Sequence, residues 1–168
     1  MIVVHNSSTG AYKISPAGWE EIESKPPASG SCAFIAMAFG GMDELKAEIE
    51  SAVRSTGYKP LRIDDAEYLG GVMDEILAQI RESKFVIADL TNNRGGVYYE
   101  AGFAVGLGIP VIPTCRKDHL DDGTNRVHFD VQHLNLLAWE TDKLSAFGKR
   151  LENRILSVFG RGPLPPPA

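Results

Sequence analysis

The residues best suited to chemistry stand in one stretch, "ADLTNNRGGVYYEAGFAVGLGIPVI", residues 88 to 112. Asp89 closes an apolar run, a polar and glycine-rich turn follows, and Glu100 interrupts the next helical pattern near its apolar side. With the helix starting near Gly96 and Val97 at the centre of its buried face, Ala101, Ala104, Val105 and Gly108 share that face. Glu100 then falls on the shoulder of the face, in the first turn. The helix dipole there favours the ionised carboxylate while burial pulls its pKa upward, a combination suited to a desolvated but charged nucleophile. The plainer alternative is that Glu100 satisfies free amides at the helix start. Asp89 at the same sheet edge favours the chemical reading. Two carboxylates in different environments are what glycosidic bond cleavage needs: one attacks or stabilises the sugar cation, the other manages the leaving group's proton. Between them, "TNNRGG" offers amides, a hydroxyl, the side chains of Asn92 and Asn93, and Gly95 and Gly96, where a ligand can approach the backbone. A turn of this kind leading into a helix suits phosphate or sugar hydroxyls, although it is neither a P-loop nor a GxGxxG fingerprint.

Elements on either side must position this turn. From Ser31 the chain alternates strand and helix: "CAFIAMAF" with "MDELKAEIESAVRSTG", "YKPLRID" with "GGVMDEILAQIRES", "KFVIADL" with "GGVYYEAGFAVGLG", then "IPVIPTC", and finally "LNLLAW" with "DKLSAFGKRLENRILSVFG". Apolar strands alternating with helices specify a parallel sheet covered on both faces. Five units predict an α/β fold, a flavodoxin-like doubly wound five-stranded parallel sheet. Ligands in such sheets sit at the carboxyl ends of the strands, which here carry Met37 to Gly41, Asp64 and Asp65, Asp89 to Gly96, and Thr114 to Asp118. The domain is expected over residues 31–160. Residues 1–30 form an appendage with a short amphipathic helix begun at Ser15 and Pro16 and the linker "KPPASGS"; residues 161–168 are a proline-rich tail expected to fray.

Composition narrows the partners. A net charge of -5, from 17 basic and 22 acidic residues, gives no overall pull toward nucleic-acid backbones. No apolar run approaches the roughly 20 residues that span a bilayer, and "MIVVHNSSTG" lacks the basic start and apolar stretch of a signal peptide, so a cytoplasmic protein without membrane partners is expected. Cys32 and Cys115 read as small buried thiols, and the four histidines show no metal-ligand spacing. No metal or cofactor is implied.

The central pattern, Asp89 followed by "NNRGGVYYEAGFAVGLGIPV", resembles the nucleoside 2-deoxyribosyltransferase-like superfamily, close in fold to TIR domains. The likeness runs from Phe34 to Trp139 and is most specific in its centre. The blocks "FIAM.F", "GYKP.RID", "RGGVYYEAGFA.GLG.PVI.TCR" and "HFD...LN...WE" resemble a bacterial subgroup of predicted nucleotide-processing proteins with relatives in defence systems. The resemblance implies that Glu100 is the nucleophile on the anomeric carbon and that Asp89 positions or protonates the reacting groups. It also implies that the loop with Met37, Phe39 and Gly40 borders sugar and base, that "YKISPAGWEEIE" is a winged-helix remnant, and that a neighbouring subunit completes the site in a homo-oligomer. One departure matters: "NNRGGVYYEAG" replaces the transferases' "DSGT..E.G", losing the Asp-Ser pair that would meet sugar hydroxyls.

Further residues carry two readings each. Arg94, Arg116 and Lys117 suit the phosphates of a nucleotide or dinucleotide, NAD included as a substrate, or are solvated surface charges. Arg62 and Asp64 at the second strand's end offer substrate contact or an ion pair. Tyr99 offers a hydroxyl to a sugar or phosphate oxygen, or packs with its hydroxyl at the rim. His128 and Asp130 project to one side if extended, for acid-base work or as a loop-stabilising pair. The expected function is an N-glycosidase acting on a nucleotide or NAD-type substrate; the alternatives are a non-catalytic nucleotide sensor and a TIR-like assembly module.

Overall fold

Short apolar runs separated by helical repeats become the strands of one sheet. The computed structural model describes residues 3–6, 11–14, 30–38, 40–63, 72–121 and 126–165. Strands β1 (Val3–Asn6) and β2 (Ala11–Ile14) pair antiparallel as a hairpin that the sequence pattern did not announce. The amphipathic helix expected from Ser15 and Pro16, and its linker, lie outside the described residues. The main chain then runs β3 (Cys32–Ala36), α1 (Asp43–Ser55), β4 (Lys59–Leu61), α2 (Val72–Glu82), β5 (Phe85–Asp89), α3 (Gly95–Gly106), β6 (Val111–Arg116), a short α4 (Asp118–Asp121), β7 (Leu137–Trp139) and α5 (Leu144–Phe159).

The five strands from β3 onward form one all-parallel sheet in the order β4-β3-β5-β6-β7. This is the flavodoxin-like order, in which the first strand of the sheet lies between the second and the third. β5 is buried along its whole length, and its side chains alternate between two cores. Phe85 and Ile87 join Ile49 and Val53 of α1 and Phe147, Leu151 and Ile155 of α5. Val86 and Ala88 join Ile76 and Ile80 of α2 and Val97 and Ala104 of α3. Each fully buried Val, Ile or Phe stabilises by roughly 1.5–3 kcal/mol, so this central strand fixes the position of the turn that follows it.

Three expectations need correction. On α3, Val97 and Ala104 are buried and Ala101 packs beside them, but Val105 is 64% exposed and Gly108 lies past the helix end at φ +73°. The buried stripe is narrow because each residue advances about 100° around the helix, which carries Val105 off the face that Ala104 occupies. The tail does not fray at Arg161: Gly162 N–H donates to Thr56 O at 2.8 Å and Leu164 N–H to Gly57 O at 3.0 Å. Cys115 is buried as expected, whereas Cys32 is half-buried. Among the described residues no helix is long and apolar enough to cross a membrane.

Candidate functional site

Strand order reverses between β3 and β5, and the chain leaves these two strands for opposite faces of the sheet. A crevice opens at such a point because the two connections diverge. Here it is a cavity of about 310 Å³ lined by Met37 and Ala38 after β3, by Arg94, and by Gly95, Gly96, Val97 and Glu100 of α3. No other atom would lie within 4 Å of a Cβ at Gly95 or Gly96, so a ligand can reach the backbone of the first helical turn.

Glu100 is the sixth residue of α3, in its second turn rather than its first, and no acidic residue stands in the first turn. The reading in which it caps the helix start therefore has no contact behind it. Among the described residues no hydrogen bond or ion pair engages its carboxylate. Burial alone pushes its pKa up to about 7. The group is desolvated, unpartnered and at the wall of a cavity. Arg94, also on that wall and exposed, makes no ion pair among the described residues.

Asp89 has the opposite surroundings. It is 1% exposed; Oδ2 accepts from Thr114 Oγ1 at 2.7 Å and from Trp139 Nε1 at 2.7 Å, and Oδ1 accepts from Thr91 N–H at 3.2 Å. Burial raises its pKa against the pull of these donors. Asp89 does not line the cavity of Glu100. Its carboxylate is engaged by three donors that tie β5 to β6 and β7.

The turn between the two carboxylates is held from several sides. Asn92 and Asn93 adopt left-handed φ values of 65° and 50°, a conformation that asparagine tolerates better than most residues. Thr91 Oγ1 accepts from Arg116 N–H at 2.9 Å. Asn93 Nδ2 donates to Arg126 O at 2.7 Å, and Asn93 Oδ1 accepts from Tyr98 Oη at 2.9 Å. Tyr98 Oη in turn accepts from His128 N–H at 3.1 Å. The Asn92 nitrogen lies 3.4 Å from His119 Nδ1, a contact only, because the ring accepts through Nε2 from Arg116 at 2.7 Å. Tyr98, His119 and Trp139 were thus missed as polar braces. Spacing gives no local signal for Tyr98 toward His128 or for Trp139 toward Asp89, since these partners lie 30 and 50 residues away.

The remaining expected site residues scatter. Arg62 Nη2 donates to Ala38 O at 3.3 Å and so braces the cavity wall. Phe39 and Asp64 lie outside the described residues. Gly40, at φ +76°, lines a different cavity, shared with Asn92 and Arg116. Arg116 Nε is 2.7 Å from Asp118 Oδ1, and Lys117 Nζ is 3.7 Å from Glu140 Oε1, so both charges are already matched. Tyr99 is 53% exposed and does not line the Glu100 cavity. His128 Nδ1 and Asp130 Oδ2 are 3.2 Å apart and both exposed, the loop pair rather than part of the cavity. Among the described residues no group of three His, Cys, Asp or Glu side chains could hold a metal ion. In comparisons with known proteins, no family model and no curated protein matches the chain.

Proposed function

We propose that the protein is a nucleotide-processing N-glycosidase in which Glu100 attacks or stabilises the anomeric carbon of a nucleotide or NAD-type substrate. The observation that carries this reading is the half-buried Glu100 carboxylate, without a partner among the described residues, on the wall of a cavity at the sheet's switch point. A carboxylate that stabilises no part of the fold through a contact is available to a ligand. The resemblance to nucleoside 2-deoxyribosyltransferases and TIR domains supports the same role and adds a homo-oligomer.

In the first step the Glu100 carboxylate meets the anomeric carbon, the carbon-nitrogen bond breaks, and the base leaves with its electron pair. Water, or a second base, then releases the sugar. Arg94 on the same wall suits a phosphate of the substrate. With Asp89 occupied by Thr91, Thr114 and Trp139, the cavity wall offers one carboxylate among the described residues. That favours a substrate whose leaving group needs little protonation, such as a pyridinium base. The same occupation of Asp89 also supports a second reading, a nucleotide sensor that binds without cleaving.

Incubation with pooled nucleosides, deoxynucleotides and NAD(P), wild type beside Glu100→Gln, with free bases read by mass spectrometry, separates the two. Base released by wild type only is the expected result. Retention of a ligand without any release is the sensor's signature and removes the glycosidase.

A further inference from the structure

A second groove stands apart from the Glu100 cavity, along the ends of β6 and β7. Two cavities, of about 610 and 680 Å³, meet there and share Arg116, Trp139 and Thr141 as common wall. Arg116 is contacted from three directions. Its Nε is 2.7 Å from Asp118 Oδ1, its Nη2 is 2.7 Å from His119 Nε2, and its Cζ lies 5.9 Å from the centre of the Trp139 ring. Because a guanidinium only donates, His119 Nε2 is the acceptor. Trp139 is itself fixed through Nε1 to Asp89. The side chain of Arg116 nevertheless stays 34% exposed, so the platform has an open side. Across the groove, Gly40 and Gly41 have left-handed φ values and open space where a Cβ would stand.

Charge decides what the platform takes. Asp43 and Glu44 line one cavity and Asp118, Glu140 and Asp142 the other, against Arg116 and Lys117. Both bases are paired to acids in the groove itself. A phosphate would find an acidic surround, whereas an uncharged or cationic ring can stack on a guanidinium whose charge is already matched. We infer that the open side of Arg116 is a stacking subsite for a planar nitrogen heterocycle of the nucleobase class, supplied as a free base or as the second base of a dinucleotide. This deepens the nucleotide reading above and rests on it for the class of ring.

The test is a ligand-observed NMR titration of adenine and of NAD into Glu100→Gln, which removes turnover, with and without Arg116→Lys. Lysine keeps the charge and loses the plane. The expected result is binding that weakens about tenfold or more in the Arg116→Lys background, the loss typical of one base-stacking contact. Weakening for adenine identifies a free-base subsite; weakening for NAD alone identifies the second base of a dinucleotide. Equal binding in both backgrounds overturns the proposal, because a point charge then suffices, and so does binding of neither ligand. Asp118→Ala is the second variant should Arg116→Lys unfold: releasing the exposed Asp118 loosens the guanidinium and weakens ring binding, and unchanged binding overturns the proposal again. Ring binding persists in a protein that releases no base if only the glycosidase reading fails, so the two failures are distinguishable.

Discussion

Asp89 and Glu100 are carboxylates on either side of one turn, and the fold treats them in opposite ways. Asp89 points into the seam between β5, β6 and β7 and collects three donors. Glu100 stands on the far side of the turn with its desolvation unrelieved by any partner among the described residues. Both are raised in pKa by burial, so the shift by itself does not separate a structural acid from a candidate reacting one. Hydrogen bonding does. A saturated carboxylate fixes geometry, and an unsaturated one on a cavity wall is poised to act.

The largest effect that follows is on turnover. Glu100→Gln keeps the shape and removes the negative charge, so base release is expected to fall by about 10³-fold or more while the far-UV spectrum is unchanged. Equal rates would erase the distinction between the two acids. The complementary substitution acts on stability. Asp89→Ala leaves the Thr114 hydroxyl, the Trp139 indole N–H and the Thr91 amide without their acceptor in a dry seam. At roughly 1–3 kcal/mol for each stranded donor, a loss of about 3 kcal/mol or more is expected in urea unfolding. A loss below 1 kcal/mol would mean that the seam is wet or adjustable.

The comparison also shows what could be read from the chain. The parallel sheet was legible because "CAFIAMAF", "KFVIADL" and "IPVIPTC" are apolar on both faces and the helices between them repeat at 3.6. Glu100 stood out because one charge in "GGVYYEAGFAVGLG" breaks an otherwise uncharged helix. The role of Asp89 was not legible, because its partners Thr114 and Trp139 come from β6 and β7 and only the sheet order brings them together. Arg116 is a different case: Asp118 and His119 stand two and three residues on, so its neighbours were in view, and only the local turn that brings their atoms to 2.7 Å was not. Side chains whose neighbours are distant in the chain keep their partners hidden from the sequence, while periodicity suffices for those that face a core.

A pH series sharpens the contrast further. In the proposed mechanism the attacking form of Glu100 is the ionised one, and burial pushes its pKa up to about 7. Turnover should therefore fall roughly tenfold per pH unit below that value and level off above it. Stability runs the other way. The folded pKa of about 7 exceeds the ordinary 4.5, so the folded state holds the proton more tightly, and its advantage is complete below about 4.5 and lost as pH rises through about 7. Glu100→Gln should thus match wild type at pH 4 and exceed it at pH 8 by about 1–2 kcal/mol, discounted for the group's partial exposure. Identical unfolding midpoints at both pH values would place the carboxylate in water.

The smallest effect is expected at the opposite edge of the sheet, where the tail meets the turn after α1. Gly57 sits at φ +85°, and the Gly162 amide donates to Thr56 O. The two glycines lie so close that a Cβ on Gly162 would overlap the Gly57 carbonyl oxygen. Gly162→Ala must therefore push the tail outward and break the Gly162 and Leu164 backbone bonds, a loss of about 1–2 kcal/mol at typical net values per bond. The Tyr58 hydroxyl, which donates to Phe159 O at 3.2 Å, stays on α5 and limits the damage. Base release and ring binding should be unchanged, since none of these residues lines the Glu100 cavity or the Arg116 groove. A drop in turnover at unchanged stability would instead show that the two ends of the sheet are coupled, and would make the docked tail part of what holds the β3 and β5 connections apart.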